Sequence, residues 1–273
     1  VLRALEKLAI THLVVIGGDD TLSYAARLNR EQFPVVAIPK TMDNDVMGTD
    51  YCIGFSTAVS RSVNLITELR TPVGSHERIG VVEVFGRYSG ETALFSGYLA
   101  SVDRTVISEV PFDMDRVAEL ICEDKAANPS HYAMLAISEG AKPVGGDMIL
   151  GGEEDAFGHR KKVNVGEALS AEIKRHTGEE TIVSDLTYDL RGGSPDATDK
   201  MIATTFAAMT MDCIEADENG VMMAVSEGRY AVAPIPDPKL GPRKVDVATM
   251  YNTERYRPNY INKRGLPIFL TRA

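Results

Sequence analysis

The strongest constraint in this chain is a pattern that recurs along it: a short, β-branched apolar run, then a glycine-bearing loop, then a helical stretch. His12-Leu13-Val14-Val15-Ile16 precedes Gly17-Gly18-Asp19-Asp20-Thr21, and Val35-Val36-Ala37-Ile38 precedes Pro39-Lys40-Thr41-Met42-Asp43-Asn44-Asp45. Arg78–Val84, Tyr132–Ile137 and residues 181–186 repeat the theme. Runs of this length read as buried strands, and their alternation with helices predicts parallel sheets covered on both faces. In such sheets ligands bind beyond the carboxyl ends of the strands, where these loops fall.

The first two loops combine features with one chemical reading. A strand feeding a Gly-rich loop and a helix turns backbone N–H groups and the helix N-terminus toward an anion. Asp19, Asp20, Asp43 and Asp45 in the same loops call for a divalent cation and a proton acceptor as well. Together they point to phosphoryl transfer. Read alone, Asp43-Asn44-Asp45 is also a common turn cluster held by Asx hydrogen bonds. Lys40 and Thr41 beside it, one strand after Gly-Gly-Asp-Asp, favour the site.

Arg87, in Phe85-Gly86-Arg87-Tyr88-Ser89-Gly90, and Arg191, before Gly192-Gly193, follow strands and can offer forked donors to a phosphate. Arg78 starts its strand and so points to the opposite end; contact with a neighbouring subunit's site is its economical reading. Glu139, between a strand and Gly140, can accept from a sugar hydroxyl or cap a helix.

Other chemistries lack their signatures. The chain has no G-x-S-x-G, H-E-x-x-H, G-x-x-x-x-G-K-[ST] or strand-opening G-x-G-x-x-G pattern. Asp113 and Asp115 look like a metal pair but suit a helix start better. Net charge is −10 over 273 residues, which disfavours a nucleic-acid partner yet leaves room for locally placed arginines. No transmembrane helix or signal peptide is visible, and three separated cysteines fit buried thiols in a reducing compartment. A cytoplasmic enzyme is expected. Residues 141–164, with the basic run His159-Arg160-Lys161-Lys162, read as a solvated surface loop.

Finer expectations follow from local signals. Ser56 caps a helix that Thr71-Pro72 stops; Ser194 caps one that begins at Pro195. Gly178 ends a third. Residues 221–226 and 230–235 form a hairpin about Glu227-Gly228.

Taken in order, GGDDT, PKTMDND, SHERIGVVEVFGRYSG, AISEG and LRGGSP resemble the phosphofructokinases, and among them the pyrophosphate-dependent branch. The resemblance implies two Rossmann-like α/β/α lobes with mainly parallel sheets and the active site in the cleft between them. Residues 1–54 with about 190–240 would form a phosphate-donor lobe; about 55–189 with 241–273 would form a sugar-phosphate lobe.

It implies Mg²⁺-dependent transfer from pyrophosphate to the 1-hydroxyl of fructose 6-phosphate by a homo-oligomer, dimer or tetramer. Asp43 would be the general base, with Lys40, Thr41 and Arg87 completing the catalytic set. Asp19 would serve the metal, and Gly18, Asp20 and Lys40 the donor. Thr41, Asp43, Asp45, Arg78, Phe85, Gly86, Arg87, Glu139, Tyr188 and Arg191 would line the sugar-phosphate site. Asp20 and Lys40 stand where ATP-using bacterial members carry Gly, and Asp20 decides the donor. An ATP-dependent enzyme and a non-catalytic regulatory subunit of the same fold are the alternatives.

Departures from the pattern are Phe85 for Met, Tyr188 for His and Ile182 for a subunit-bridging Arg. The family's opening strand and Gly-rich loop do not occur in the sequence, which therefore reads as N-terminally truncated.

Overall fold

The computed structural model describes residues 1–146, 150–154, 160–162 and 164–259, with backbone only at 150–154 and 160–162. The chain opens with α1 (Leu2–Lys7), β1 (Leu13–Gly17), α2 (Asp19–Arg30) and β2 (Val35–Pro39). Then come α3 (Phe55–Ser75), β3 (Ile79–Val84), α4 (Glu91–Leu99), β4 (Arg104–Val106), α5 (Met114–Ala127) and β5 (Ala133–Ser138). A pair β6 (Leu150–Glu154) and β7 (Arg160–Lys162) leads to α6 (Val165–Thr177) and β8 (Thr181–Asp185). The last elements are α7 (Ala197–Glu215), β9 (Val221–Ser226), β10 (Arg229–Pro234), α8 (Val247–Met250), β11 (Tyr251–Asn252) and β12 (Arg257–Pro258).

Two compact units emerge. Val1–Thr57 and Ser194–Arg243 belong to the first; Ala58–Gly193 and the described residues 244–259 belong to the second. The first unit's sheet has the order β1-β2-β9-β10, parallel except for the β9–β10 hairpin. That hairpin turns on Glu227 and Gly228, both at positive φ (51° and 75°), the twist a two-residue turn needs. Leu22, Ala37, Val46, Cys52 and Met222 form a fully buried cluster within this unit. The second unit's sheet, β4-β5-β3-β8, is wholly parallel. Every residue of β3 and β5 is buried, as expected for central strands covered on both faces.

Several local expectations change. β1 is half-buried: Val14 and Ile16 are exposed, because among the described residues β1 pairs with β2 alone. α3 continues past Thr71 and carries Pro72 inside it. Pro72 removes one helical N–H, but the following turn is anchored by buried Val73, whose carbonyl accepts from the Arg78 N–H. Part of the span 141–164 is the antiparallel β6–β7 pair and the first residue of that span to be helical-flanking, Asn164, precedes α6. The side chains of the basic run lie outside the described residues. Asp113 caps α5, accepting from the Arg116 N–H at 3.1 Å, and Gly178 closes α6 in the left-handed conformation (φ 76°).

Helix α7 begins later than expected. Asp196, not Ser194, is its cap and accepts from the Asp199 N–H at 2.9 Å. Asp196 also accepts from Ser56 Oγ at 2.6 Å. Asp199 is 1% exposed and accepts from Tyr51 Oη (2.6 Å), Gly54 N (2.7 Å), Thr57 N (3.0 Å) and Thr57 Oγ1. One carboxylate thereby caps the first turn of α3 from the first turn of α7. Burial, then Asp199 itself, pushes the Tyr51 phenol well above its ordinary range, so it stays a donor.

Replacing Asp199 by Ala leaves several buried donors unsatisfied, and we expect it to lower unfolding free energy by about 2–4 kcal/mol. Asp196→Ala, a cap deletion, should cost about 1 kcal/mol. Urea midpoints of the two variants test this; equal midpoints would contradict the assignment of Asp199 as the joint.

Candidate active site

In the first unit the parallel register sets Gly17 opposite Pro39, so both acidic loops leave the sheet at one end. The Lys40 N–H donates to the Gly17 carbonyl at 2.8 Å and ties the loops together. Gly17 is required by close approach, since a Cβ there would lie 2.5 Å from Thr21 Cβ. Gly18 is the N-cap of α2, and a Cβ on it would lie 3.3 Å from Thr41 Cβ. The helix starts at Asp19, inside the Gly-Gly-Asp-Asp-Thr loop, which puts Asp19 and Asp20 in its first turn, beside the positive end of its dipole.

The second loop is rigid by construction. Thr41 Oγ1 accepts from the Asp43 N–H at 3.3 Å. Asn44 is left-handed (φ 54°), a conformation Asn tolerates. Its side chain donates to the Asp50 carbonyl (3.1 Å) and accepts from the Cys52 N–H (2.7 Å). Asp43 is partly buried and Asp45 is 7% exposed. Burial raises the Asp45 carboxyl; Asp19 and Asp20 raise it further, while its own N–H and Arg243 oppose them. Burial and then Asp20 raise Asp19. Lys40 and Asp20 are exposed.

Asp19 and Asp45 suit a divalent cation. Asp45 Oδ1 is buried without a hydrogen-bond partner, and the two carboxylates hold each other's charge unfavourably. They do not form a closed protein cage: among the described residues only Asp115, Glu172 and His176 bring three ligand atoms within 4.8 Å. An open site with one or two carboxylates is what Mg²⁺ uses when phosphate oxygens complete its shell.

The second unit gathers Phe85, Gly86, Arg87, Glu139, Tyr188 and Arg191 beyond the carboxyl ends of β3, β5 and β8. Gly86 has φ 138°, and a Cβ on it would lie 2.5 Å from both Ser138 Oγ and the Ser89 carbonyl. Ser138 Oγ donates to the Gly86 carbonyl at 2.5 Å, and the Glu139 N–H to the Val84 carbonyl at 3.0 Å. A Cβ at Gly140 would overlap the Arg87 carbonyl. The two loops therefore interlock through glycines. The Arg191 guanidinium lies 4.1 Å from the Phe85 ring centroid, and Arg87 stacks 5.1 Å from that of Tyr88. Arg78 lies at the opposite end of β3, apart from this group. Tyr188 is 82% exposed.

Three supporting residues carry no motif of their own. Arg61 donates from Nη2 (2.9 Å) and Nε (3.3 Å) to the Asp189 carbonyl and so holds the 3₁₀ turn bearing Arg191. Arg243 lies behind the Asn44 turn. Glu83, buried in mid-strand, accepts from the Gly166 N–H at the start of α6 (2.8 Å). A charged residue inside a run of Val and Ile was the available signal for Glu83; Arg61 and Arg243 had none.

One open α/β sheet carries acidic loops suited to a cation, and the other carries arginine-bearing loops suited to a phosphate. The family described as Phosphofructokinase matches residues 1–214. The chain is 40% identical over 233 residues to the pyrophosphate–fructose 6-phosphate 1-phosphotransferase of Thermoproteus tenax, covering 85% of this chain and 67% of that protein. It is 36% identical over 236 residues to the ATP-dependent 6-phosphofructokinase of Mycobacterium leprae, covering 86% and 69%. A pyrophosphate-dependent phosphofructokinase from Nitrosospira multiformis superposes with a TM-score of 0.77 over 98% of this chain and 74% of that one; at 19% identity this speaks to fold alone. The chain belongs to the phosphofructokinase family. No helix among the described residues is long and apolar enough to cross a membrane.

Glu83 generates a pH prediction. Burial, with added repulsion from Asp185, Glu139 and Glu167, raises its carboxyl to about 7 against the pull of the Gly166 N–H. A raised acid binds its proton more tightly when folded, so its contribution is fully present below pH 4.5 and is lost as pH rises to about 7. Glu83→Gln keeps an acceptor for Gly166 and should flatten the stability-versus-pH curve across that window, by at most about 3 kcal/mol. Parallel curves for the two proteins would refute it.

Proposed function

We propose that this chain transfers a phosphoryl group from pyrophosphate to the 1-hydroxyl of fructose 6-phosphate, giving fructose 1,6-bisphosphate with Mg²⁺ as cofactor. The observation that carries the reading is the pairing of two acidic loops on adjacent parallel strands, with Asp43 and Asp45 flanking a fixed Asn44. Asp43 takes the proton of the attacking hydroxyl, and Thr41 Oγ1 helps to orient Asp43 by accepting from the Asp43 N–H. Asp19 and Asp45 would hold the cation, which when bound would offset the negative charge of the transferring group. The N–H groups at Gly18 and the first turn of α2 face the donor with Lys40 as a point charge. In the second unit, Arg87 and Arg191 suit the phosphate of the sugar and Glu139 its hydroxyls. Phe85 backs the Arg191 guanidinium, Gly86 fixes the loop that carries Arg87, and exposed Tyr188 is free to meet the sugar phosphate.

Asp20 favours pyrophosphate over ATP. Its carboxylate occupies the first turn of α2, where further phosphate and nucleoside would need neutral space. The transfer breaks the one phosphoanhydride bond of pyrophosphate, forms one sugar phosphate ester and releases orthophosphate, and donor and product phosphates are close enough in energy for it to run in either direction. The similarity to the ATP-dependent M. leprae enzyme supports ATP as the second reading of the donor. Arg78 serves the site of a second copy in a homo-oligomer, since it projects from the other end of β3.

Fructose 1,6-bisphosphate formation, assayed with pyrophosphate and ATP in parallel, tests the proposal directly. Turnover with ATP alone would overturn the donor assignment, and silence with both would overturn the function. Asp43→Asn should lower kcat by at least about 10²-fold with the KM for fructose 6-phosphate nearly unchanged; near-normal turnover refutes its role as base. Asp20→Gly should shift the pyrophosphate-to-ATP ratio toward ATP, and an unchanged ratio removes Asp20 as the gate.

A further inference from the structure

Arg243 heads the fully buried side chains by size and is 2% exposed. Burying a guanidinium is unfavourable unless its charge is opposed and its donors are used. Two of its side-chain donors and its backbone N–H reach the acidic loop. Nε and Nη2 both donate to the Asn44 carbonyl, at 3.0 Å and 2.5 Å, and the Arg243 backbone N–H donates to the Asp45 carbonyl at 2.7 Å. Its charge faces Asp45 and Asp50. Asn44 is the left-handed residue between Asp43 and Asp45, and its side chain is already held by Asp50 and Cys52.

We propose that Arg243 is a positioning residue for phosphoryl transfer: a buried cation that fixes the peptide between Asp43 and Asp45 and so sets where both carboxylates point. The inference rests on the reading of Asp43 as the base. The side chain grips the carbonyl after one acid's neighbour, and the main chain of the same residue grips the carbonyl of the other acid. A shift of about 1 Å in a reacting group can lower a rate 10²-fold, so the clamp acts on kcat rather than on sugar-phosphate affinity. Lys keeps the charge but has no planar fork, and it can serve the Asn44 carbonyl only in part.

The test compares Arg243→Met and Arg243→Lys with the wild type in turnover per folded protein, KM for fructose 6-phosphate and solvent isotope effect on kcat. Arg243→Met should lose about 10²-fold in kcat with KM within about twofold, and its isotope effect should rise as proton transfer to Asp43 slows. Arg243→Lys should recover about tenfold of that loss. A mere loss of folded protein lowers total rate but leaves the isotope effect unchanged, so an unchanged effect overturns the proposal. If Arg243→Met does not fold, Arg243→Lys decides: a rate and isotope effect equal to wild type overturn it, and a reduced rate with a raised effect supports it. If the wild type is silent with both donors, the functional reading fails on its own. Amide exchange at residues 43–46 then judges the clamp, faster exchange in Arg243→Lys supporting it and equal exchange overturning it.

Discussion

The parallel pairing of Leu13–Gly17 with Val35–Pro39 is the contact on which the first unit's chemistry depends. Because Gly17 lies opposite Pro39, two loops separated in sequence emerge side by side, and their carboxylates share one electrostatic environment. Gathering like charges in a partly buried place is unfavourable in itself. The fold opposes that repulsion with the N-terminus of α2 beneath Asp19 and Asp20 and with Arg243 behind Asp45. What remains uncompensated is the capacity for a cation.

The second unit meets the opposite requirement: it presents positive charge from a chain that is acidic overall. It does so without burying the arginines. Arg87 and Arg191 rest on the faces of Tyr88 and Phe85, which restrict the guanidinium planes while leaving their edges to solvent. Phe85, where the family pattern has Met, thereby acquires a stacking role a thioether would fill less well. Beneath this layer the interlock of Gly86, Ser138 and Gly140 sets the backbone, and Arg61 sets the turn that carries Arg191.

What the sequence made legible was local. Apolar runs gave the strands, Asp113 and Gly178 gave helix ends, and the glycines of the loops gave the turns, because each is decided within a few residues. The exposed face of β1 was hidden, since an apolar run reads alike at a sheet's edge and at its centre. Pro72 misled because a proline can stay inside a helix where packing holds the flanking turn, here through buried Val73. Ser194 lost the cap to Asp196, whose carboxylate also receives Ser56 from far along the chain. Arg243 and Asp199 were illegible for the same reason: their meaning lies in partners 199 and 145 residues away.

Those long separations bear on how the acidic loop acquires its shape. The first unit draws on Val1–Thr57 and Ser194–Arg243, with most of the second unit, Ala58–Gly193, between them in sequence. Closing a loop of 199 residues carries an entropic term on the order of 5 kcal/mol. The β1–β2 pairing is local and needs no such closure, so the loops can be brought together early. The Asn44 turn is different: its carbonyl partner and the carboxylate that caps the neighbouring helix both arrive with the C-terminal segment. Strand pairing brings the acids near one another and local bonds from Thr41, Asp50 and Cys52 shape the turn, whereas the contacts of Arg243 form only with the distant segment in place. Placement of the carboxylates is carried by the sheet, and the turn between them by local bonds to which Arg243 adds a long-range one.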